Sequence, residues 1–319
     1  SLVDWYGVDS LEEAQIVHQS SPKKPILILG YIPLENIPEA VRQKFSLTIY
    51  NPETIRALGA IAKKTNPAHI HLKIETGTAR QGIVLNDLPK IIHLIKKYSM
   101  HIEGISTHFA GSEEANDMFT EAQHSIFTQA VATLKQNGFN PPAQHCSCSA
   151  AIFRYPKTHG TLVRAGISLY GLWPSPTLAK LFSKKVSLIP ALTWKTRIAQ
   201  IKSFPKNTTI GYDRTETVHR NSRVAVLPVG YWDGLDRRLS STGHVLVRGQ
   251  RAKILGRICM NMCMIDVTDI PSVSFEDEVV VVGKQKKLEI SAESFTESMR
   301  GLHYEAITRI NPTIPRFLR

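Results

Sequence analysis

An α/β domain followed by a mostly β domain is the architecture this sequence predicts, and three observations predict it. Short apolar segments alternate with amphipathic segments of helical period up to about residue 171. Beyond it the long helical patterns stop, and strand-like runs follow one another closely. Between the two regimes lies a proline-bearing, loop-like stretch, Trp173–Pro190. The predicted domains are therefore 1–187 and 188–319.

Taken in order, Trp5–Val8 reads as a short strand, and Ser10 opens a helix with Glu13 three residues on, the pattern of a capping box. Ile26–Leu29 is a second strand, followed by a helix over about Leu34 to Gln43. Leu47–Tyr50 is a third, after which Asn51 caps a helix with Pro52 at its first position, where a missing N–H costs nothing. Ile70–Glu75 is the fourth strand and Leu88–Lys97 its helix. Ile102–His108 is the fifth, and a long amphipathic helix runs from about Ser112 to Gln136, stopped by Gly138. Ala143–Cys148 and Leu162–Leu169 are strands six and seven. The β domain reads as Trp194–Lys202, Val224–Val229, His244–Val247, Lys253–Cys259, Met262–Val267 and Glu278–Val282, with a late helix, Ala292–Gly301.

Seven β/α strands are one short of a closed eight-stranded barrel. Either the sheet is open, or its first strand lies outside this sequence, which opens on Ser1 rather than Met.

Composition narrows the functional classes. With 42% hydrophobic and 21% charged residues the chain is an ordinary globular protein, and no apolar run is long enough to span a bilayer. The net charge of +12 raises nucleic acid as a partner, but the Lys and Arg residues are dispersed, without a basic, aromatic-interleaved stripe. Attraction for small anions suits that dispersion better. Cys146, Cys148, Cys259 and Cys263 lack the spacing of a zinc knuckle and sit in apolar surroundings, so buried free thiols in a cytoplasmic protein are expected, and no metal.

Chemistry-bearing residues gather where βα sites form, at the carboxyl ends of the strands. Strand four brings Lys73, Glu75 and Arg80, strand five His108, strand six Ser149. Strand seven, in TLVRAGISLYG, carries Arg164 among apolar neighbours, a cation that needs a partner if buried. Gly166, two residues on, leaves room for a ligand or another backbone. Facing one cavity, Arg80, His108, Ser149 and Arg164 make a cationic, anion-binding site.

The order of HLKIETGTARQG, THFAGSEE, HCSCSAA, VRAGISLYGLWPSP, IGYDRT, LPVGYWDGLDRRLS, GRICMNMCMIDV and HYEAITRINPTIPR resembles that of the alanine racemases over essentially the whole chain. The resemblance implies a TIM-like α/β barrel holding pyridoxal phosphate, a C-terminal β domain, and a cytoplasmic head-to-tail homodimer that makes D-alanine for peptidoglycan. Racemisation removes a weakly acidic Cα proton from one face and returns it to the other, which calls for two bases. Tyr212 matches the family's base for the L-enantiomer and reaches the partner subunit's cofactor. Arg164 matches the donor to the pyridine nitrogen, with His108 beside it. Ser149, Gly166, Ile167 and Tyr304 match phosphate-binding positions. Arg80, the Met260 backbone and Tyr231 match those that hold the substrate.

The chain departs from the family at Cys148 in place of an Asn, Asn261 in place of an acidic residue and Thr78 in place of a Met. It also opens at the family's second strand, so the barrel's first strand and its cofactor lysine, in a KANAYGHG-like segment, are expected ahead of residue 1. Two other readings stay in view: a racemase of broader substrate range, which Asn261 invites, and a non-catalytic pyridoxal-phosphate binder.

Overall fold

The computed structural model describes residues 3–61, 67–114, 116–297 and 301–318. The chain divides into two compact units, Ser1–Leu169 with Trp173–Ser187, and Tyr170–Leu172 with Leu188–Arg319.

The first unit is built on six parallel strands, β1 (Tyr6–Val8), β2 (Ile26–Ile28), β3 (Ser46–Ile49), β4 (His69–Lys73), β5 (Ile102–Ser106) and β6 (Ala143–His145). They lie side by side in sequence order. A sheet that never reverses its order is wound in one direction, as in a β/α barrel wall; a doubly wound sheet would reverse. Helices α1 (Leu11–Ser20), α2 (Ile37–Arg42), α3 (Pro52–Ile61), α4 (Leu88–Lys97) and α5 (Met118–Gln136) make the crossovers. Their apolar stripes meet the sheet in one core that includes Ile28, Leu47, Ile70, Leu88 and Leu134.

Local chemistry sets the boundaries. Ser10 Oγ accepts the Glu13 N–H at 3.3 Å, while the Glu13 carboxylate takes the N–H of Asp9 at 2.8 Å, one residue earlier than a reciprocal box would. Asn51 Oδ1 caps α3 through the Thr54 N–H at 2.8 Å. Helix α5 begins at Met118 rather than near Ser112.

Strand seven does not form. Residues 161–166 run beside β6 without a ladder, and Ile167–Tyr170 is a 3₁₀ turn. The N–H groups of Thr161 and Arg164 donate to the carbonyls of Gln144 and Ser147, at 3.0 and 2.9 Å. The return bond is diverted, because the Gln144 N–H donates to the Thr161 hydroxyl at 2.8 Å. A side-chain acceptor has displaced a backbone one, and the ladder fails there.

Two short helices join these elements. Helix α6 (Ser149–Arg154) follows β6 directly, and α7 (Pro176–Phe182) lies inside the stretch expected to be a loop. Phe153 of α6 packs between Trp173 and Phe182, with ring centroids 5.0 and 6.0 Å away.

The second unit is antiparallel. Its main sheet runs β16-β15-β12-β13-β14-β11-β8, with β7 added against β15: β7 (Trp194–Arg197), β8 (Gln200–Phe204), β11 (Ser222–Leu227), β12 (His244–Val247), β13 (Gln250–Leu255), β14 (Cys263–Asp266), β15 (Glu278–Gln285) and β16 (Leu288–Ile290). The single strand expected over Trp194–Lys202 is thus two, with different neighbours. β9 (Thr209–Ile210) and β10 (Glu216–Thr217) form a separate hairpin around Tyr212. Helix α8 covers Ala292–Glu297, and the remainder of the helix expected to Gly301 crosses residues 298–300, outside those described. Helix α9 (His303–Thr308) carries Tyr304.

Candidate active site

Arg164 is the centre of the first unit's polar interior. One guanidinium nitrogen, Nη1, donates to His145 Nδ1 at 2.5 Å and to the His145 carbonyl at 2.9 Å. The other, Nη2, donates to the Thr107 carbonyl at 2.7 Å and the Cys146 carbonyl at 3.2 Å, with His108 Nδ1 at 3.5 Å. These acceptors come from the ends of β5 and β6. A single strand end could not surround a guanidinium in this way, which is why the parallel stacking of strands matters to the site. Among the described residues the Nε–H of Arg164 has no hydrogen bond.

Electrostatics around this cation are lopsided. Lys73, the last residue of β4, is 8% exposed. Burial, then repulsion by Arg164 and Arg80, pulls its ammonium down to about 7 against a partial offset from Glu75. Burial likewise pushes His108 down to about 3, with Arg164, Lys73 and Arg80 adding to it, so its imidazole is neutral at pH 7. His145 is held well below its ordinary value by burial and then by Arg164. Glu75 offsets this cationic excess only in part, and its carboxylate also accepts backbone N–H groups of the loop after β4, at 2.5 Å from Gly77 and 3.3 Å from Arg80. A site of this sign selects an anion.

The depressed Lys73 makes a prediction for stability. Between about 7 and the ordinary 10.5 the unfolded chain binds a proton that the folded one does not. Folding stability contributed by this group therefore rises with pH across that window, with a slope approaching about 1.4 kcal/mol per pH unit. Urea unfolding at a series of pH values should show the rise, and Lys73→Met should flatten it.

A turn organised by one serine hydroxyl lies beside this cluster. Ser149, the first residue of α6, accepts the N–H groups of Gly166 at 2.9 Å and Ser168 at 3.4 Å on its hydroxyl. Ser168 Oγ is buried with no partner among the described residues. A Cβ built on Gly166 would meet only Ser149 Oγ, at 4.0 Å, so the space over it is open. Ile167 is buried in the 3₁₀ turn that follows. Cys148, the residue before Ser149, has its sulfur 3.2 Å from Ser112 Oγ. The thiols are free; burial pushes Cys146 up to about 11 and Cys263 to about 12, so both stand protonated.

The second unit contributes a different set. Tyr231 and Met260 are brought together by backbone pairing, Tyr231 N–H to the Cys259 carbonyl at 3.0 Å and Trp232 N–H to that of Met260 at 2.9 Å. Gly230 permits the approach, since a Cβ there would lie 2.3 Å from both carbonyl oxygens. Tyr212 is 68% exposed. It opens a 3₁₀ turn in which Asp213 and Arg214 hold left-handed φ of 56° and 53°, and Asp213 pairs with Arg257. Tyr304 stacks on His303 with centroids 4.8 Å apart.

The structure therefore gathers Lys73, His108, Ser149, Arg164 and Gly166 in one unit, with Arg80 close enough to act on Lys73 and His108. Sequence reasoning missed His71 and His145 as members of this polar interior. The signal was the spacing of His69, His71 and Lys73, which puts all three on one face of β4.

A one-way wound parallel β/α sheet with a cationic cluster at its strand ends, followed by an antiparallel β domain, places the chain among the two-domain β/α-barrel proteins. Residues 1–174 match the family model "Alanine racemase, N-terminal domain", and residues 191–318 match "Alanine racemase, C-terminal domain". The alanine racemase of Leptospira interrogans serovar Lai is 37% identical over 319 residues, spanning 98% of this chain and 81% of the relative. That of Methanococcus maripaludis is 38% identical over 92% of this chain and 78% of the relative. Among solved structures, alanine racemase of Clostridium difficile 630 superposes with a TM-score of 0.89 at 31% identity, covering 97% of this chain and 80% of that one. The Bacillus anthracis alanine racemase with bound L-Ala-P gives 0.89 at 30% identity, over 96% and 78%. The chain belongs to the alanine racemase family, a family of isomerases.

Proposed function

We propose that this protein interconverts L- and D-alanine using pyridoxal phosphate, and that it supplies D-alanine for peptidoglycan. The observation that carries the reading is Arg164, ringed by protein acceptors at both Nη groups and left with one unspent donor, Nε–H.

The residues present fit the cofactor on two counts. The cradle of Ser149, Gly166 and Ser168, with its unpartnered buried hydroxyl, suits a phosphate. The unspent donor of Arg164 suits a pyridine nitrogen, which a permanently charged guanidinium leaves unprotonated. When bound, pyridoxal phosphate supplies an electron sink that acidifies the substrate Cα–H. A weak sink, set by Arg164, favours return of the proton at Cα over side reactions such as transamination.

The chain's own residues bind the substrate and supply one of the two bases. Arg80, exposed and drawn to anions, holds the substrate carboxylate, joined by the Met260 N–H, which makes no backbone hydrogen bond among the described residues. Tyr231 and the neutral His108 support that geometry. Tyr212 takes and returns the Cα proton on one face. A phenol has an ordinary pKa near 10, so this role needs cations nearby, which Lys73, Arg80 and Arg164 would provide. A second copy, arranged head to tail, delivers Tyr212; the exposure of Tyr212, Trp232 and Met262 supports such a shared surface. Four free cysteines support residence in a reducing cytoplasm.

The test is incubation of the full-length protein, loaded with pyridoxal phosphate, with each enantiomer of alanine and with a panel of other L-amino acids, followed by chiral chromatography. Appearance of the opposite alanine enantiomer is expected, with slower or absent turnover of larger side chains. Equal turnover across the panel would establish the broad-specificity alternative that Asn261 invites. Cofactor binding without turnover of any substrate would establish a non-catalytic binder.

A further inference from the structure

Behind Arg164, polar side chains cross the sheet toward the amino ends of the strands. His145 Nε2 is 2.9 Å from His71 Nδ1, and the two rings meet at 60°. His71 is fully buried, and its Nε2 lies 3.5 Å from Glu103 Oε2, an ion-pair contact without hydrogen-bond geometry. Glu103, near the start of β5, also accepts the Ser46 hydroxyl at 2.5 Å and lies 3.4 Å from His69 Nδ1. Burial alone would push the Glu103 carboxyl up, but the close rings of His69 and His71 and the Ser46 hydroxyl outweigh it and hold the group well below the usual carboxylate range.

Donor counting gives the line a direction. Arginine has no acceptor, so His145 Nδ1 must present a lone pair to Arg164. The single proton of a neutral His145 is then on Nε2, and it points at His71 Nδ1. That nitrogen must in turn accept, which puts the His71 proton on Nε2, aimed at Glu103. Every proton in the line runs the same way.

The sheet is shaped to seat this ring. Gly104 pairs with His71 across β4 and β5, just after a register shift between Ile70 and His71. A Cβ on Gly104 would lie 2.1 Å from His71 Nδ1. Trp5 closes the other side, its ring centroid 5.2 Å from that of His71. His71 Nε2 makes no hydrogen bond, so the carboxylate of Glu103 acts on it through charge at close range, and a glycine given over to one imidazole marks that ring as a fixed part of the interior.

We propose that Glu103 is a positioning residue for Arg164, acting through His71 and His145, each pinned as its Nε2–H tautomer. Its role in turnover rests on the racemase reading above, whereas the tautomers do not. Without an acceptor at Glu103, His71 is free to move its proton to Nδ1. His145 then loses its acceptor, and the guanidinium loses the fixed lone pair that aims it.

Long-range ¹H–¹⁵N spectra of the protein labelled in histidine test this directly. In the native protein both His71 and His145 should be pure Nε2–H tautomers. Glu103→Leu should give mixed tautomers at both and lower kcat about tenfold, with KM for alanine within about twofold because Arg80 is untouched. Glu103→Gln, whose carbonyl still accepts, should restore both the tautomers and most of the rate. Gly104→Ala should reproduce the mixed tautomers with Glu103 intact. A native His145 protonated on Nδ1, or tautomers unchanged in Glu103→Leu, would overturn the proposal; should either variant fail to fold, the native spectrum still decides. Pinned tautomers that respond to Glu103 in a protein that racemises nothing would uphold the relay and defeat the racemase reading.

Discussion

Replacing Arg164 by leucine is expected to destabilise the first unit by about 3 kcal/mol and to cost racemisation about 10²-fold or more. The stability loss comes from the acceptors left behind. His145 Nδ1 and the carbonyls of Thr107 and Cys146 lose their donor, while the His145 carbonyl keeps the Thr107 N–H at 3.3 Å. Relief of the repulsion on Lys73 returns part of that loss, so the net value falls short of a sum over three unsatisfied groups.

The same variant should move two titrations in a defined sense. Arg164 is the largest cause after burial in the depression of both Lys73 and His108, so both should titrate higher without it. For His108 the folded value lies below the ordinary 6.5, so the unfolded chain binds more protons between 6.5 and about 3. Stability contributed by this group is therefore lost as pH falls through that window, and Arg164→Leu should shrink the loss. Denaturant unfolding from pH 7 down to 4, with NMR titration of His108, measures both. An unchanged His108 in the variant would mean that Arg164 does not govern the pocket.

Much of the barrel wall was legible because its strands are short apolar runs bounded by turn residues. Ile26–Leu29, Leu47–Tyr50 and Ile70–Glu75 each matched an observed strand to within two residues at either end. Helix α4 was legible to the residue, since Pro89 follows its start and Lys96 and Lys97 mark its end. Strand seven misled because Val163, Ile167 and Leu169 look like a strand from their side chains alone. What decides a ladder is where the backbone N–H groups go, and no composition reveals that the Thr161 hydroxyl captures one of them. Helix α7 was hidden by its prolines, although Pro176 sits at the first turn, where it is tolerated, and Ser175 caps it through the Leu178 N–H at 3.3 Å.

The site divides along a similar line. Arg164 announced itself as a cation in an apolar run, and Ser149 and Gly166 fell into one cradle. Glu75 serves the loop after β4 with its carboxylate. His71 was illegible as a functional residue since its meaning depends on partners 32 and 74 positions away, Glu103 and His145, which only the parallel register brings to it. Tyr212, Tyr231, Met260 and Tyr304 rest on family resemblance. Within their own unit Tyr231 and Met260 are neighbours, and Tyr212 stands on a strained, exposed turn.

Under the proposed reading, the full-length protein racemises with two bases, and Tyr212 serves one face of Cα. Tyr212→Phe removes a single oxygen from a side chain that is already exposed, so folding should be untouched. Single-turnover exchange of the Cα hydrogen in D₂O, begun from each enantiomer of alanine, isolates the proton-transfer step. Abstraction from L-alanine should slow by about 10³-fold in the variant, the usual worth of a positioned base, while abstraction from D-alanine stays within a few-fold of the native rate. Equal slowing from both enantiomers would contradict the assignment, because it would make Tyr212 a part of the pocket rather than the base of one face.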